Sequence, residues 1–208
     1  MKTWLFIFTL SCSLVANAAG DYQAGEKKAA VCMACHGATG VSSNPEWPNL
    51  AGQHVGYLIK QLKEYQQGHD RVGVVMTPMV SSLTRQDMDD LAEFYKNQPL
   101  PKGVTPKRYL QKGEQLYRGG DFEKHITACI ACHGPKGTGN AQAGFPVLAG
   151  QHPEYLIIQM QQFKDGQRRN DLNSIMRDIS KRMSADDIAA VAYYMAGLHE
   201  SNKDQPDD

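Results

Sequence analysis

The stretch VCMACHG at residues 31–37 decides the fold, and the stretch ACIACHG at residues 128–134 repeats it. In each copy two cysteines are separated by two residues, and a histidine follows the second cysteine directly. Cys32 and Cys129 stand 97 positions apart, and the two copies use every cysteine of the chain except Cys12. A motif that occurs twice in this way indicates one structural unit written twice.

The pattern Cys-x-x-Cys-His is typical of covalent attachment of a c-type haem. Two thiols on one helical turn can both bond to the vinyl groups of a porphyrin, and the histidine that follows them can ligate the iron. The sequence therefore predicts two covalently bound haem c groups. The residues predicted to hold them are Cys32, Cys35 and His36 for the first haem, and Cys129, Cys132 and His133 for the second.

Two other readings of the cysteine pairs fit less well. A structural zinc site would close two such pairs on one metal, which is not what a histidine beside each pair in separate copies indicates. A thioredoxin-like dithiol would be expected in a βαβ context, and no strand pattern is present.

The repeat continues beyond the cysteines and defines two domains. PNLAGQH at residues 48–54 matches PVLAGQH at residues 146–152, and between the copies lies PLPKGVTP at residues 99–106. Three prolines and a glycine make that segment an extended linker. The predicted organisation is a signal peptide at 1–19, domains at 20–98 and 107–201, the linker at 99–106, and a tail at 202–208.

Both domains are predicted to be helical, and the fold class is all-α. Apolar residues recur at helical spacing, and the last helix of each domain opens at a cap, Thr84 or Ser184, with an aspartate three residues later. A short helix is expected to lead into each Cys-x-x-Cys-His motif, at about 23–34 and 107–118. A second helix is expected after each Ala-Gly-Gln segment, at about 54–67 and 152–165.

The beginning of the chain has the pattern of a secretory signal. Lys2 supplies a positive charge, an apolar run covers residues 4–10, and ANAA at 16–19 resembles a cleavage site. We therefore expect export. A lipid anchor at Cys12 is the alternative, but the residues before it fit such a site poorly.

The charge balance excludes a nucleic-acid-binding surface of the usual kind. The chain has 22 lysines and arginines against 22 aspartates and glutamates, so no basic excess is present.

The sixth iron ligands are predicted from the repeat. Met76 and Met176 are the aligned pair of methionines, and both precede the final helix of their domain. Met79 is a local rival in the first domain. His54 and His152 are also aligned, and we expect them to lie at the surface or the domain interface. Iron ligation by them is the alternative, and it would lower the reduction potential where a methionine sulfur raises it.

Four further residues could support the haems. The backbone carbonyls of Pro48 and Pro146 could accept the Nδ1 proton of each proximal histidine, although each proline could equally serve only as a turn. Arg71 and Arg169 could pair with haem propionates, although each could equally be a solvated side chain.

These residues together resemble the dihaem cytochrome c4 family. The resemblance rests on Cys-x-x-Cys-His-Gly, Pro-x-Leu-Ala-Gly-Gln and a late methionine in each copy, and it covers nearly the whole mature chain. It implies two tandem class I cytochrome c domains related by pseudo-twofold symmetry, with haems that face each other across the interface. It also implies iron ligation by His36 with Met76 and by His133 with Met176, and a histidine-orienting role for Pro48 and Pro146.

The resemblance further implies a function. Members of the family carry single electrons in the periplasm, deliver them toward terminal oxidases and often associate peripherally with the membrane, so the expected partners are redox donors and acceptors. Two other functions share the motifs: the cytochrome subunit of a dehydrogenase, such as a sulfide-oxidising flavocytochrome, and a dihaem peroxidase. A peroxidase needs an open iron, which the aligned methionines argue against.

Overall fold

The computed structural model describes residues 19–199. The predicted signal peptide up to residue 18 and the predicted tail lie outside the described residues. Between 19 and 199 the structure is helical, with two isolated β-bridges and no strand. The all-α prediction is confirmed. No helix in this part of the chain is long and apolar enough to cross a membrane.

The helices fall into two groups that follow each other along the chain, and residues 99–106 between them contain no helix. The first group is α1 (Tyr22–His36), α2 (Val55–Gln67), α3 (Met76–Val80) and α4 (Arg85–Lys96). The second group is α5 (Lys107–Gly119), α6 (Ile130–His133), α7 (Pro153–Lys164), α8 (Ile175–Lys181) and α9 (Ala185–Ala196), with a 3₁₀ turn at Leu172–Ser174. The predicted helices are present, while the short helices α3, α6 and α8 were not predicted.

The predicted caps of α4 and α9 are confirmed as capping boxes. The Thr84 hydroxyl accepts the backbone N–H of Asp87, whose carboxylate accepts the N–H of Thr84 in return, and Ser184 and Asp187 do the same. The Asp187 side chain is buried at the start of α9. Burial raises its pKa, but the ion pair with Lys112 on α5, the contacts within the cap and the hydrogen bond from Lys124 lower it more, so the carboxylate stays charged.

The first and last long helices of each domain cross at a glycine. A β-carbon on Gly25 of α1 would overlap the Asp90 carbonyl oxygen of α4. A β-carbon on Gly113 of α5 would lie 2.5 Å from the Ala190 carbonyl oxygen and 2.5 Å from the Tyr194 Cβ of α9. The backbones therefore touch at both crossings, and only glycine leaves room for that approach.

We expect Gly113→Ala to lower the free energy of unfolding by about 1–3 kcal/mol, because the added methyl group must push α5 away from α9. The matched control is Gly119→Ala in the same helix, where nothing lies within 4 Å of the added atom. That change should be neutral or slightly stabilising. Thermal unfolding of the holoprotein, followed by circular dichroism, measures both, and equal melting temperatures would refute the crossing argument.

Each domain has a hydrophobic core that packs against the first cysteine of its own motif. The core of the first domain consists of Ala29, Leu58, Leu91, Ala92, Phe94 and Tyr95. The core of the second domain is larger and consists of Leu116, Tyr117, Ile126, Leu156, Met160, Met183, Ile188, Val191, Ala192, Tyr194 and Met195. Cys32 packs against the first cluster and Cys129 against the second.

The two domains meet through reciprocal contacts of the repeated loops 48–54 and 146–152. The Gln53 side chain accepts the backbone N–H of Val147 and donates to the carbonyl of the same residue, both at 3.0 Å. Gln151 makes the same pair of bonds to Asn49, at 2.8 and 2.9 Å. Because each domain makes the same pair of bonds to the other, the two domains are related by a pseudo-twofold axis.

Candidate functional site

One continuous cavity extends through both domains, and both Cys-x-x-Cys-His motifs face it. Apolar side chains from the helices of both domains line much of its wall, among them Leu58, Leu91, Leu156 and Phe163. The predicted attachment residues and ligands all contribute to the lining: Cys32, Cys35, His36, Met76, Cys129, Cys132, His133 and Met176.

None of the four motif cysteines is paired in a disulfide. Burial raises the pKa of the Cys32 thiol, and it raises the pKa of Cys129 to about 12. Before a haem is attached, both thiols are therefore protonated at neutral pH, and both line an apolar space where they can bond covalently to an apolar edge of a ligand.

The two motifs are carried by different local structures. In the first domain the motif forms the last turn of the long helix α1. In the second domain α5 ends at Gly119, a loop closed by the bridge between Asp121 and Ile126 follows, and the motif has its own short helix α6. The expectation that a helix leads into each motif holds for the first domain. In the second, the helix stops before the motif.

Both motif histidines are buried and held by a backbone carbonyl. The Nδ1 atom of His36 lies 2.9 Å from the Pro48 oxygen, and that of His133 lies 3.1 Å from the Pro146 oxygen. A carbonyl only accepts, so Nδ1 carries the proton and the lone pair of Nε2 is free for a metal. Burial lowers the pKa of both histidines, although the carbonyl partly opposes it. The rings are therefore neutral, which is the form that ligates iron.

The methionines selected by the repeat reach the same cavity. Met76 begins α3, Met176 lies in the first turn of α8, and both are half-buried in the cavity wall. Met79, the rival in the first domain, also contributes to the wall but is 48 % exposed. The geometry is compatible with Met76 and Met176 as ligands, and their assignment stays a prediction.

The aligned histidines His54 and His152 lie at the domain interface. Each precedes the first residue of its helix, and its Nε2 atom bonds a backbone oxygen of the other domain: Thr138 at 2.9 Å and Ser42 at 3.0 Å. These nitrogens already have partners, which agrees with an interface role and not with iron ligation.

Two buried arginines face each other across the interface. Arg71 donates to Gln61 of its own domain and to the Tyr155 hydroxyl of the other, the latter at 2.8 Å. Arg168 mirrors it, with its own domain's Gln159 at 2.8 Å and the other domain's Tyr57 hydroxyl at 3.0 Å. Both arginines line the cavity.

In the repeat Arg71 corresponds to Arg169, but the structure places Arg168 at the position equivalent to Arg71. Arg169 has a half-exposed side chain 3.7 Å from the carboxylate of Asp70, and it does not line the cavity. The structural counterpart of Arg71 is Arg168, because the loop after α7 is one residue shorter at this point than the alignment assumed. Nothing in the sequence separates two adjacent arginines, so Arg168 was not among the residues predicted to support a haem.

The residues present fit a covalently attached haem in each domain. Each half of the cavity offers two thiols, a neutral histidine with a free nitrogen, and a thioether. The Nε atom of Arg71 is buried without a hydrogen-bond partner, as expected where an acceptor such as a haem propionate belongs. Among residues 19–199, no three side chains of His, Cys, Asp or Glu are grouped as a metal site.

Comparison with known proteins agrees with this geometry. The family model for cytochrome c matches residues 22–98 and 110–199. Cytochrome c4 of Pseudomonas aeruginosa is 43% identical over 194 residues, which cover 93% of this chain and 96% of that protein. The thiosulfate dehydrogenase electron acceptor of Stutzerimonas stutzeri is 36% identical over 188 residues, covering 88% of this chain and 86% of that protein.

A solved structure matches as well. Reduced recombinant cytochrome c4 from Pseudomonas stutzeri superposes with a TM-score of 0.84 at 41% identity, over 87% of this chain and 100% of that one. The similarity extends through both halves of the molecule.

Proposed function

This chain belongs to the cytochrome c4 family of dihaem electron carriers, and from that premise we propose that it is exported to the periplasm and passes single electrons along a respiratory chain toward a terminal oxidase. The observation that supports this proposal most directly is the duplicated set of thiols, neutral histidine and methionine around one cavity. The bound haems supply a one-electron couple in each domain.

The proposed roles follow from the positions of the side chains. His36 and Met76 ligate the first iron, and His133 and Met176 ligate the second. Because each iron would take one histidine and one methionine from the protein, no position would be left for a substrate, and the proposed activity is electron exchange without catalysis. A methionine sulfur raises the reduction potential relative to a second histidine, which suits delivery to an oxidising partner.

The remaining supporting residues hold the haem in place. The carbonyls of Pro48 and Pro146 keep each proximal histidine in the tautomer that binds metal. Arg71 and its counterpart Arg168 offer buried positive charge for the propionates.

A second candidate is supported by the relatives. Two of them, from Stutzerimonas stutzeri and Thiomonas intermedia, are named thiosulfate dehydrogenase electron acceptors and are both 36% identical to this chain. In this alternative the chain receives its electrons from a dehydrogenase of an inorganic sulfur compound, and the residues around the haems keep the same roles.

Rapid-mixing kinetics with the holoprotein distinguish these functions. We expect the reduced protein to be oxidised by oxygen only when membranes with a terminal oxidase are present, and cyanide should block this reaction. If such membranes have no effect but thiosulfate and its dehydrogenase reduce the oxidised protein rapidly, the second candidate is correct. Direct consumption of hydrogen peroxide by the purified protein would overturn both and support a peroxidase. Recovery of the protein in the osmotic-shock fraction tests the periplasmic location.

A further inference from the structure

The peptide group between Pro48 and Asn49 is bonded at both ends to functionally different partners. Its carbonyl oxygen accepts the Nδ1 proton of His36 at 2.9 Å, and its N–H donates to the Oε1 atom of Gln151 at 2.8 Å. Gln151 belongs to the other domain. A single planar amide therefore joins the proximal histidine of the first domain to a glutamine of the second.

The same arrangement recurs with the domains exchanged. The carbonyl of Pro146 lies 3.1 Å from His133 Nδ1, and the N–H of Val147 donates to Gln53 Oε1 at 3.0 Å. Gln53 and Gln151 are buried, with 6% and 8% exposure, so water does not compete for these bonds.

We propose that each glutamine tunes the reduction potential of the haem in the opposite domain through this shared amide. The inference rests on the proposed ligation of iron by His36 and His133. Gln53 and Gln151 act as positioning residues, because they touch the peptide group and not the histidine ring or the haem.

The direction of the effect follows from the polarity of the amide. When the glutamine oxygen accepts the N–H, electron density shifts toward the carbonyl oxygen, and hydrogen bonds in such a chain strengthen one another. A stronger acceptor draws the Nδ1 proton of the histidine and makes the ring a more basic ligand. A more basic ligand favours the oxidised iron. Loss of the glutamine oxygen therefore raises the potential of the haem across the interface.

The contact also ties this tuning to domain docking. The Nε2 atom of each glutamine donates to the carbonyl of the same residue whose N–H its Oε1 accepts. That carbonyl belongs to the next peptide group, so two bonds fix the residue that carries the shared N–H. Separation of the domains would break the bonds to both histidine-bearing loops at once and would shift both potentials in the same direction.

The test is a pair of near-isosteric variants, Gln53→Met and Gln151→Met, in the holoprotein. A redox titration followed by NMR resolves the two haems. Gln53→Met should shift the one-electron equilibrium of the second haem toward the reduced form by about two- to fivefold, with little change at the first haem. Gln151→Met should shift the first haem toward the reduced form by a similar factor, with little change at the second haem. The Nδ1 proton resonance of the histidine in the affected domain should move upfield, as expected for a weaker hydrogen bond.

The control is His54→Ala, which removes a cross-domain hydrogen bond to Thr138 but leaves the shared amide untouched. It should leave the difference between the two potentials unchanged. Equal shifts of both haems in Gln53→Met, or the same shifts in His54→Ala, would overturn the proposal, since both indicate loosening of the interface.

A further variant guards against misfolding of the methionine variants. Gln53→Glu keeps an acceptor oxygen and makes it a stronger acceptor. The reduction potential of the second haem should therefore fall relative to that of the first haem. If it shifts the same way as in Gln53→Met, the proposal is wrong. The optical spectrum separates this failure from failure of the proposed function: unchanged potentials with histidine–methionine ligation intact refute only the tuning, whereas absence of that ligation refutes the site itself.

Discussion

Replacing Met76 by alanine is expected to abolish the long-wavelength sulfur-to-iron absorption band of one haem and to leave that of the other intact. Loss of the thioether removes the ligand that stabilises the reduced iron. The potential of the first haem should fall by an amount on the order of 0.1–0.3 V, part of the ~0.8 V that axial ligands span. Absorption spectroscopy and a potentiometric titration of the holoprotein measure the two effects.

Met79→Ala is the matched control for this prediction. Met79 lies one helical turn further along α3 and borders the same cavity, but it is 48 % exposed. Its removal should leave both bands and both potentials nearly unchanged. If Met79→Ala loses the band and Met76→Ala retains it, the ligand assignment in the first domain must be exchanged. Met176→Ala should remove the band of the second haem.

A chain in which all four motif cysteines are changed to serine is expected to lose both haems and, with them, cooperative unfolding. The cavity lies beside both hydrophobic clusters, so the haem faces complete each core when they are bound. Domains of about 90 residues bury too little surface to be stable with such a gap. Calorimetry of the variant should show a broad, weak transition where the holoprotein melts sharply.

Pairwise variants sharpen this prediction. The core of the first domain is smaller than that of the second, so the change of Cys32 and Cys35 should unfold the first domain more completely than the change of Cys129 and Cys132 unfolds the second. A sharp melt in the fourfold variant would show that the protein cores suffice without haem.

The parts of the fold that were predictable from sequence are those fixed by local chemistry. The capping boxes of Thr84 and Ser184 depend on residues three positions apart, and they are present as predicted. The hydrogen bonds from the motif histidines to the carbonyls of Pro48 and Pro146 are also present. The two prolines could be singled out from sequence because they occupy matching positions in the repeat.

The parts that sequence did not predict depend on contacts between domains or on loops of unequal length. The repeat showed that Gln53 and Gln151 correspond, but nothing local tells which backbone group each one meets. Arg169 was predicted in place of Arg168 because a difference of one residue in loop length cannot be detected in the sequence where two arginines are adjacent. The end of α5 did leave a signal in the adjacent Gly119 and Gly120, since the second adopts a positive φ of 72°.

The exchanged glutamine contacts have a consequence for the history of the molecule. A twofold contact is self-complementary, so it would serve equally well between two separate copies of a single domain. Joining the copies through residues 99–106 replaces an encounter in solution by an effective concentration on the order of millimolar. After fusion, the contact surfaces of the two domains no longer have to be identical in sequence. Asn49 is an example of such a difference. Its side chain donates to the Gly150 carbonyl at 2.9 Å, a bond that Val147 at the matching position cannot make.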